Sequence, residues 1–155
     1  MRFRKALAKD HEAIHALLQA SFSMIYAYYA EKSFALLTNT LAATDKSGLT
    51  GIINWRNFRV GGEKICYLYW LAVRPDRRKL GLGKKLFQRA IAKGKGCTMI
   101  CAATEKRNKI AQKLIQHEGF TLIDRKGLKA RFGAETSRLT NMMNLMPWED
   151  LYIRH

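Results

Sequence analysis

The stretch Arg78-Lys79-Leu80-Gly81-Leu82-Gly83 decides how this chain is read. It follows an apolar run, Tyr67-Leu-Tyr-Trp-Leu-Ala-Val73, and opens a helical pattern, Lys84-Lys-Leu-Phe-Gln-Arg-Ala-Ile-Ala92. A strand, a glycine turn and a helix in that order build an anion site. Glycines let the backbone approach a ligand, and the first-turn N–H groups of a helix have no partner within it. Those N–H groups, with the positive end of the helix dipole, favour a phosphate. Arg77, Arg78, Lys79, Lys84 and Lys85 add mobile positive charge at the same place. The first functional expectation is therefore a phosphorylated ligand.

Two common phosphate motifs do not fit. The dinucleotide pattern needs a third glycine where Leu86 stands. The P-loop needs Ser or Thr where Lys85 stands and a glycine where Arg78 stands. The string fits a different turn: Gln or Arg, two residues, Gly, one residue, then Gly or Ala. It is preceded by Leu71-Ala-Val-Arg-Pro-Asp76 and followed, after another strand, by Asn108-Lys-Ile-Ala-Gln-Lys-Leu-Ile-Gln-His-Glu-Gly-Phe120. On these residues the chain resembles the GCN5-related N-acetyltransferase family, clearly over residues 64–125 and more loosely elsewhere.

The resemblance implies acetyl-CoA as acyl donor and an α/β (α+β) fold. That fold is a mixed, mostly antiparallel sheet flanked by helices, with splayed central strands holding the CoA. By resemblance, the backbone of Leu71, Ala72 and Val73 would pair with the pantetheine arm. The amides of Arg78, Lys79, Leu80, Gly81, Leu82, Gly83 and Lys84 would hold the pyrophosphate. Asn108 would reach the pantetheine arm, although from the sequence it reads equally well as a helix N-cap.

At 155 residues, nearly half of them apolar, the chain suits one globular domain, residues 1–155, with 146–155 as a C-terminal tail. No window approaches the ~20 apolar residues of a membrane span. No secretory signal is visible, and Cys66, Cys97 and Cys101 lack metal-ligand spacing. The expectation is a cytoplasmic protein with free thiols and no metal or membrane association. His11 and His15 have a metal-compatible i, i+4 spacing but no evident third ligand.

The charge is unusual, with 28 Lys and Arg against 12 acids. Residues 65–110 alone hold 12 bases and 2 acids. One CoA hardly needs that many. Arg89, Lys93 and Lys95 lie beyond the first turn of the helix, badly placed for the pyrophosphate. They are expected to form a surface for DNA or RNA; the plain alternative is a solubilising face.

Along the chain, strands are expected at 3–7, 39–44, 49–58, 64–73 and 98–103. Helices are expected at about 10–22, 24–37, 82–93 and 108–118. Asp10 is the expected N-cap of the first helix. Residues 120–125 and 139–146 are expected to close the sheet as an antiparallel pair. Tyr26, Tyr28, Tyr29 and Phe34 make the second helix aromatic; in the family such a helix flanks the acceptor groove.

Acyl transfer needs a neutral amine, a donor for the oxyanion and a proton for the thiolate. The position where much of the family carries a tyrosine acid holds Ile115. The strand before the turn carries no carboxylate between Lys64 and Arg74. Tyr67 and Tyr69 are the remaining candidates for a proton relay or an acceptor wall, with Glu63 and Glu105 in reserve. The reading is an acetyl-CoA-dependent N-acyltransferase with an amine acceptor, for which the nucleic-acid-linked candidates are an aminoacyl-tRNA, a DNA base or a nucleic-acid-bound protein. The alternatives are a catalytically degenerate basic interaction module and a small-molecule acetyltransferase.

Overall fold

The structure is a computed structural model that describes residues 1–35 and 39–155, with the backbone alone at 34 and 35. The elements are β1 (Arg2–Lys5), α1 (His11–Ser21), α2 (Met24–Ala35), β2 (Asn39–Asp45), β3 (Gly48–Val60), β4 (Glu63–Val73), α3 (Leu82–Ile91), β5 (Met99–Glu105), α4 (Lys109–His117), β6 (Thr121–Ile123), α5 (Arg125–Phe132), α6 (Thr136–Met143) and β7 (Glu149–Arg154). The strands form a seven-stranded sheet in the order β1-β2-β3-β4-β5-β7-β6. Of the described pairings only β4 with β5 is parallel. This is the mixed, mostly antiparallel sheet with helices that the resemblance implied. Residues 36 and 37 of the expected second helix, and the side chain of Phe34, lie outside the described residues.

The chain divides into two compact units, residues 1–56 with 69–93, and residues 57–68 with 94–155. In the first, β1 pairs with β2 from Arg2↔Thr44 to Lys5↔Leu41, and β2 with β3 from Asn39↔Trp55 to Asp45↔Gly48. Consecutive strand residues face opposite sides. Ile52 therefore packs on one face with Ile14, Leu17 and Leu18 of α1, Ala30 of α2, Ala42 and Ala72. Gly51 faces α3 on the other side. A Cβ there would lie 2.9 Å from Leu86 Cδ1 and 3.1 Å from the Ala72 carbonyl, so the close seating of α3 requires glycine. Thus α1 and α2 cover one face of this unit and α3 the other.

Asp10 stands at the expected N-cap of α1, but its side chain makes no capping bond. Its oxygens instead accept from Arg4 Nη1 and Nη2 at 2.7 and 2.8 Å and from the Leu7 amide at 2.7 Å. The guanidinium is the main reason its pKa falls to about 2, against the opposing effect of burial. The carboxylate ties β1 to the short 3-10 turn Ala8–Asp10 that leads into α1.

In the second unit, β4 and β5 run parallel from Ile65↔Met99 to Leu68↔Ala102. The closing strands correct the sequence reading. Residues 139–146 are not a strand: α6 occupies Thr136–Met143, and the chain turns at Asn144 with φ +54°. The strand is β7, formed by the supposed tail, and it lies between β5 and β6. The physical reason is burial on both faces. Leu151, Tyr152 and Ile153 are all buried, as in a central strand that reads as a continuous apolar run instead of an alternation. Leu139 and Met143 are 0% and 1% exposed at a helical i, i+4 spacing. Leu128 and Phe132 repeat that spacing on α5, which the sequence reading also missed. Cys66 and Cys101 are buried, and burial pushes the Cys66 thiol up to about 12.

Candidate active site

β4 ends at Val73, and the chain turns through a 3-10 segment, Pro75–Arg77. Two arginines brace this turn. Arg74 donates to Asp76 at 2.6 and 2.9 Å and to the Ser47 hydroxyl at 2.7 Å. Arg77 Nε donates to Asp45 at 2.9 Å. The Ser47 hydroxyl and amide, and then Arg77, hold the Asp45 carboxyl well below the usual carboxylate range. Arg78 turns back, its Nε donating to the Val73 carbonyl at 2.9 Å. The sequence reading did not foresee these side-chain roles, since only the fold brings the β2–β3 turn to residues 74–77.

Next come two left-handed residues, Lys79 at φ +63° and Gly81 at φ +74°. A non-glycine side chain in that conformation costs ~1–2 kcal/mol, so the turn holds Lys79 against its preference. Gly81 is the N-cap of α3 and offers no side chain to the helix start; no acid lies in the first turn. The first intrahelical bond of this turn runs from the Lys85 amide to the Gly81 carbonyl, at 3.1 Å. The amides of Leu82 and Gly83 precede that ladder. Gly83 is not needed by the fold. A Cβ there would lie 3.8 Å from Val73 and 3.9 Å from Leu71, ordinary contact distances, and its φ is not positive. The missing side chain leaves the helix start approachable from outside. Arg78, Lys79, Leu80 and Lys84 are exposed around it, and Leu82 anchors the turn in the core.

Asn108 sits at the start of α4, where its Oδ1 accepts from the Ala111 amide at 3.1 Å. Ile115, on the same helix, is a buried core residue. Glu63 receives both Arg131 Nη2 and Nε, at 2.6 and 3.0 Å, and that guanidinium keeps its carboxyl below the usual range. Glu105 receives Arg107 Nε at 2.6 Å. A carboxylate stabilised as an anion is a poor proton acceptor, so Glu63 is not set up as a base. Tyr67 is only 4% exposed. Tyr69 is half-buried; burial pushes its phenol up, with Arg56 acting weakly the other way. Its proton is therefore held through neutral pH, as a donor requires.

On the α1–α2 face, Trp70 Nε1 donates to the Ser33 hydroxyl at 3.0 Å, and the rings of Phe22 and Tyr26 meet it edge-on at 5.3 and 5.7 Å. Tyr28 is exposed, with Lys32 Nζ 4.6 Å above its ring. His15 pairs with Glu31, and among the described residues no three His, Cys, Asp or Glu side chains converge. No helix among them is long and apolar enough to cross a membrane. Arg89 lies over the Phe3 ring and Lys93 over the Trp55 ring, both in the first unit; exposed Lys95 belongs to the second.

This strand, turn and open helix start stand within the part of the chain that matches a family model. The model is that of the acetyltransferase (GNAT) family and covers residues 7–120; the chain belongs to that family and is an N-acetyltransferase by membership. Solved structures share the fold at low identity. The NatC complex bound to Gag peptide and CoA matches with TM-score 0.66 and 22% identity, over 99% of this chain and 96% of that one. Ribosomal-protein-alanine N-acetyltransferase from Brucella melitensis matches with TM-score 0.64 and 16% identity, over 99% and 97%. N-acetylglutamate synthase from Neisseria gonorrhoeae, complexed with coenzyme A and N-acetyl-glutamate, matches with TM-score 0.70 and 16% identity, over 99% of this chain and 34% of that one. Among curated proteins none matches the sequence.

Proposed function

We propose that this protein transfers an acetyl group from acetyl-CoA to an amine, with the donor's pyrophosphate held at the start of α3. The observation that carries the reading is the open N-terminus of that helix. Its N-cap is a left-handed glycine, its first turn has no acid, and it begins between Arg78, Lys79 and Lys84. A pyrophosphate there would receive backbone N–H groups and the positive end of the helix dipole. The backbone of Leu71, Ala72 and Val73 is proposed to pair with the pantetheine arm. Because Arg78 already occupies the Val73 carbonyl, pairing at Val73 falls on its N–H. For Asn108 the structure supplies a capping bond, and a pantetheine contact rests on the resemblance alone.

In the reaction the amine nitrogen forms a bond to the acetyl carbon and the carbon–sulfur bond breaks. The amine loses one proton and the thiolate takes one. Tyr69 is proposed as the proton donor to sulfur, because its phenol stays protonated and half-exposed. With Glu63 and Glu105 both engaged by arginines, water removes the amine proton. The CoA thiolate is a tolerable leaving group, since thiols ionise near pH 8–9.

The acceptor proposed is an amine on a nucleic-acid-linked molecule, which the net charge of +16 supports. The test is acetyl transfer from radiolabelled acetyl-CoA to aminoacyl-tRNA, duplex DNA, a nucleic-acid-bound protein and free polyamines in parallel. Label in a nucleic-acid-linked acceptor, slowed at least tenfold by Tyr69→Phe, is the expected result. Label in polyamine alone would remove the acceptor reading. No binding of acetyl-CoA would remove the donor reading as well.

A further inference from the structure

The charge of the first unit is divided between its two faces. The unit carries 15 bases and 5 acids, net +10. Three of the acids are matched to arginines: Asp10 to Arg4, Asp45 to Arg77, and Asp76 to Arg74 and Arg77. The other two, Glu12 and Glu31, are carried by α1 and α2, which pack on the Ile52 face. The opposite face is that of α3. No Asp or Glu occurs anywhere in residues 77–93, the part of this unit that carries α3, which hold seven bases. A merely solubilising surface has no need of such segregation; mixed signs serve better.

Lys85 and Arg89 stand four residues apart on α3, a rise of ~6 Å, and Lys93 follows at the same interval in the 3-10 turn Ala92–Gly94 that continues the helix. Two of them are held in place. The Arg89 guanidinium lies 4.3 Å from the centroid of the Phe3 ring, and Lys93 Nζ lies 5.7 Å from that of Trp55. Phe3 is on β1, and Lys5, two residues further along the same strand, faces the same side. Cation–ring contacts restrict long side chains before any ligand arrives, which lowers the entropy lost on binding. A row of cations without interspersed acids, two of them pre-positioned, complements a repeating polyanion.

We propose that this face, with Lys5, Lys85, Arg89 and Lys93, binds the phosphodiester backbone of a nucleic acid without base readout. The inference rests on the acceptor reading above only for its purpose; it concerns a separate surface, and its test measures binding without acetyl transfer or acetyl-CoA. Four neutralised phosphates give a slope of log affinity against log salt of about −3 to −4. Lys95, in the other unit, is left out of the row.

The experiment is fluorescence anisotropy with a labelled DNA duplex and a labelled RNA hairpin in a salt series, on the full chain. A triple variant, Lys5→Gln with Arg89→Gln and Lys93→Gln, is compared with Lys9→Gln with Lys32→Gln, which removes charge at the start of α1 and on α2. Thermal melting by circular dichroism checks that both variants fold; should the triple variant melt early, Arg89→Gln with Lys93→Gln replaces it. The triple variant should lose at least tenfold in affinity and about three units of salt slope, while the control stays within twofold of the parent. Binding of either nucleic acid with this pattern supports the proposal. Equal losses in both variants would show a bulk-charge effect and overturn it. So would binding to anionic phospholipid vesicles with none to either nucleic acid.

Discussion

The starts of α3 and α5 form a controlled contrast. Both helices lack an acid in their first turn, and both carry bases at or beside their N-termini. At α5, Asp124 is the N-cap and its Oδ1 accepts from the Gly127 amide at 2.7 Å. The helix closes its own end. At α3 the N-cap is Gly81, left-handed, with nothing to offer the amides behind it. α4 resembles α5, closed by Asn108. The first turn of α1 carries Glu12 and runs on from the 3-10 turn that Asp10 ends. An N-terminus that satisfies itself is architecture. One left open among lysines and arginines has its partner elsewhere, and in a GNAT acetyltransferase that partner is proposed to be the donor's pyrophosphate.

The sharpest way to break the contrast is to close α3 artificially. Gly83→Asp places a carboxylate against the same amides. Because a side chain has room at this position, the fold should tolerate it, with a melting temperature within a few degrees of the parent. Acetyl-CoA affinity should fall at least 100-fold, about 3 kcal/mol, read by calorimetry. An unchanged affinity would mean that the open end serves something else.

A second test concerns a carboxylate that serves arginine in place of its helix. The folded pKa of Asp10, about 2, is depressed below its ordinary value of 3.8. Its contribution to stability is therefore fully present above pH 4 and is lost as pH falls toward 2. Arg4→Met should lower unfolding free energy by ~2 kcal/mol at pH 6, with the difference from the parent shrinking by pH 2.5. Urea denaturation at the two pH values measures it. A difference that stays constant with pH would assign the loss to packing.

How far the sequence reveals these features follows from their physical range. The strand–turn–helix of residues 67–92 is legible because it is local: an apolar run, glycines at fixed offsets, then an amphipathic helix. The hairpin at Gly61 and Gly62 and the core face of Ile14, Leu17 and Leu18 are legible for the same reason. The region beyond residue 124 is not. Gly127 inside α5 and Gly133 after it obscure two short helices whose buried pairs, Leu128 with Phe132 and Leu139 with Met143, are the only periodic signal. β7 reads as a tail because a strand covered on both faces has no alternation. The braces at Arg74, Arg77 and Arg78 depend on partners as far away as Asp45 and cannot be seen in a linear string. In the candidate site, the turn is legible and the state of each candidate catalytic group is not. Ion pairing of Glu63 and Glu105 and burial of Tyr67 are tertiary facts.

Smaller effects separate capping from ligand contact. Asp124→Ala should cost ~1 kcal/mol of stability by denaturant unfolding and leave acetyl-CoA affinity unchanged. A loss of affinity there would erase the distinction between open and closed ends. Asn108→Ala should cost ~0.5–1 kcal/mol in the same assay. Acetyl-CoA affinity then decides its role: no change leaves it a cap alone, and a loss adds the pantetheine contact.

The most direct test is a CoA titration followed by amide resonances in a 15N-labelled sample. The account predicts large shifts at Gly81, Leu82, Gly83 and Lys84, with the amides of Lys126, Gly127 and Leu128 at the capped start of α5 unmoved. Shifts of equal size at both helix starts, or none at Leu82 and Gly83 with CoA bound, would contradict it.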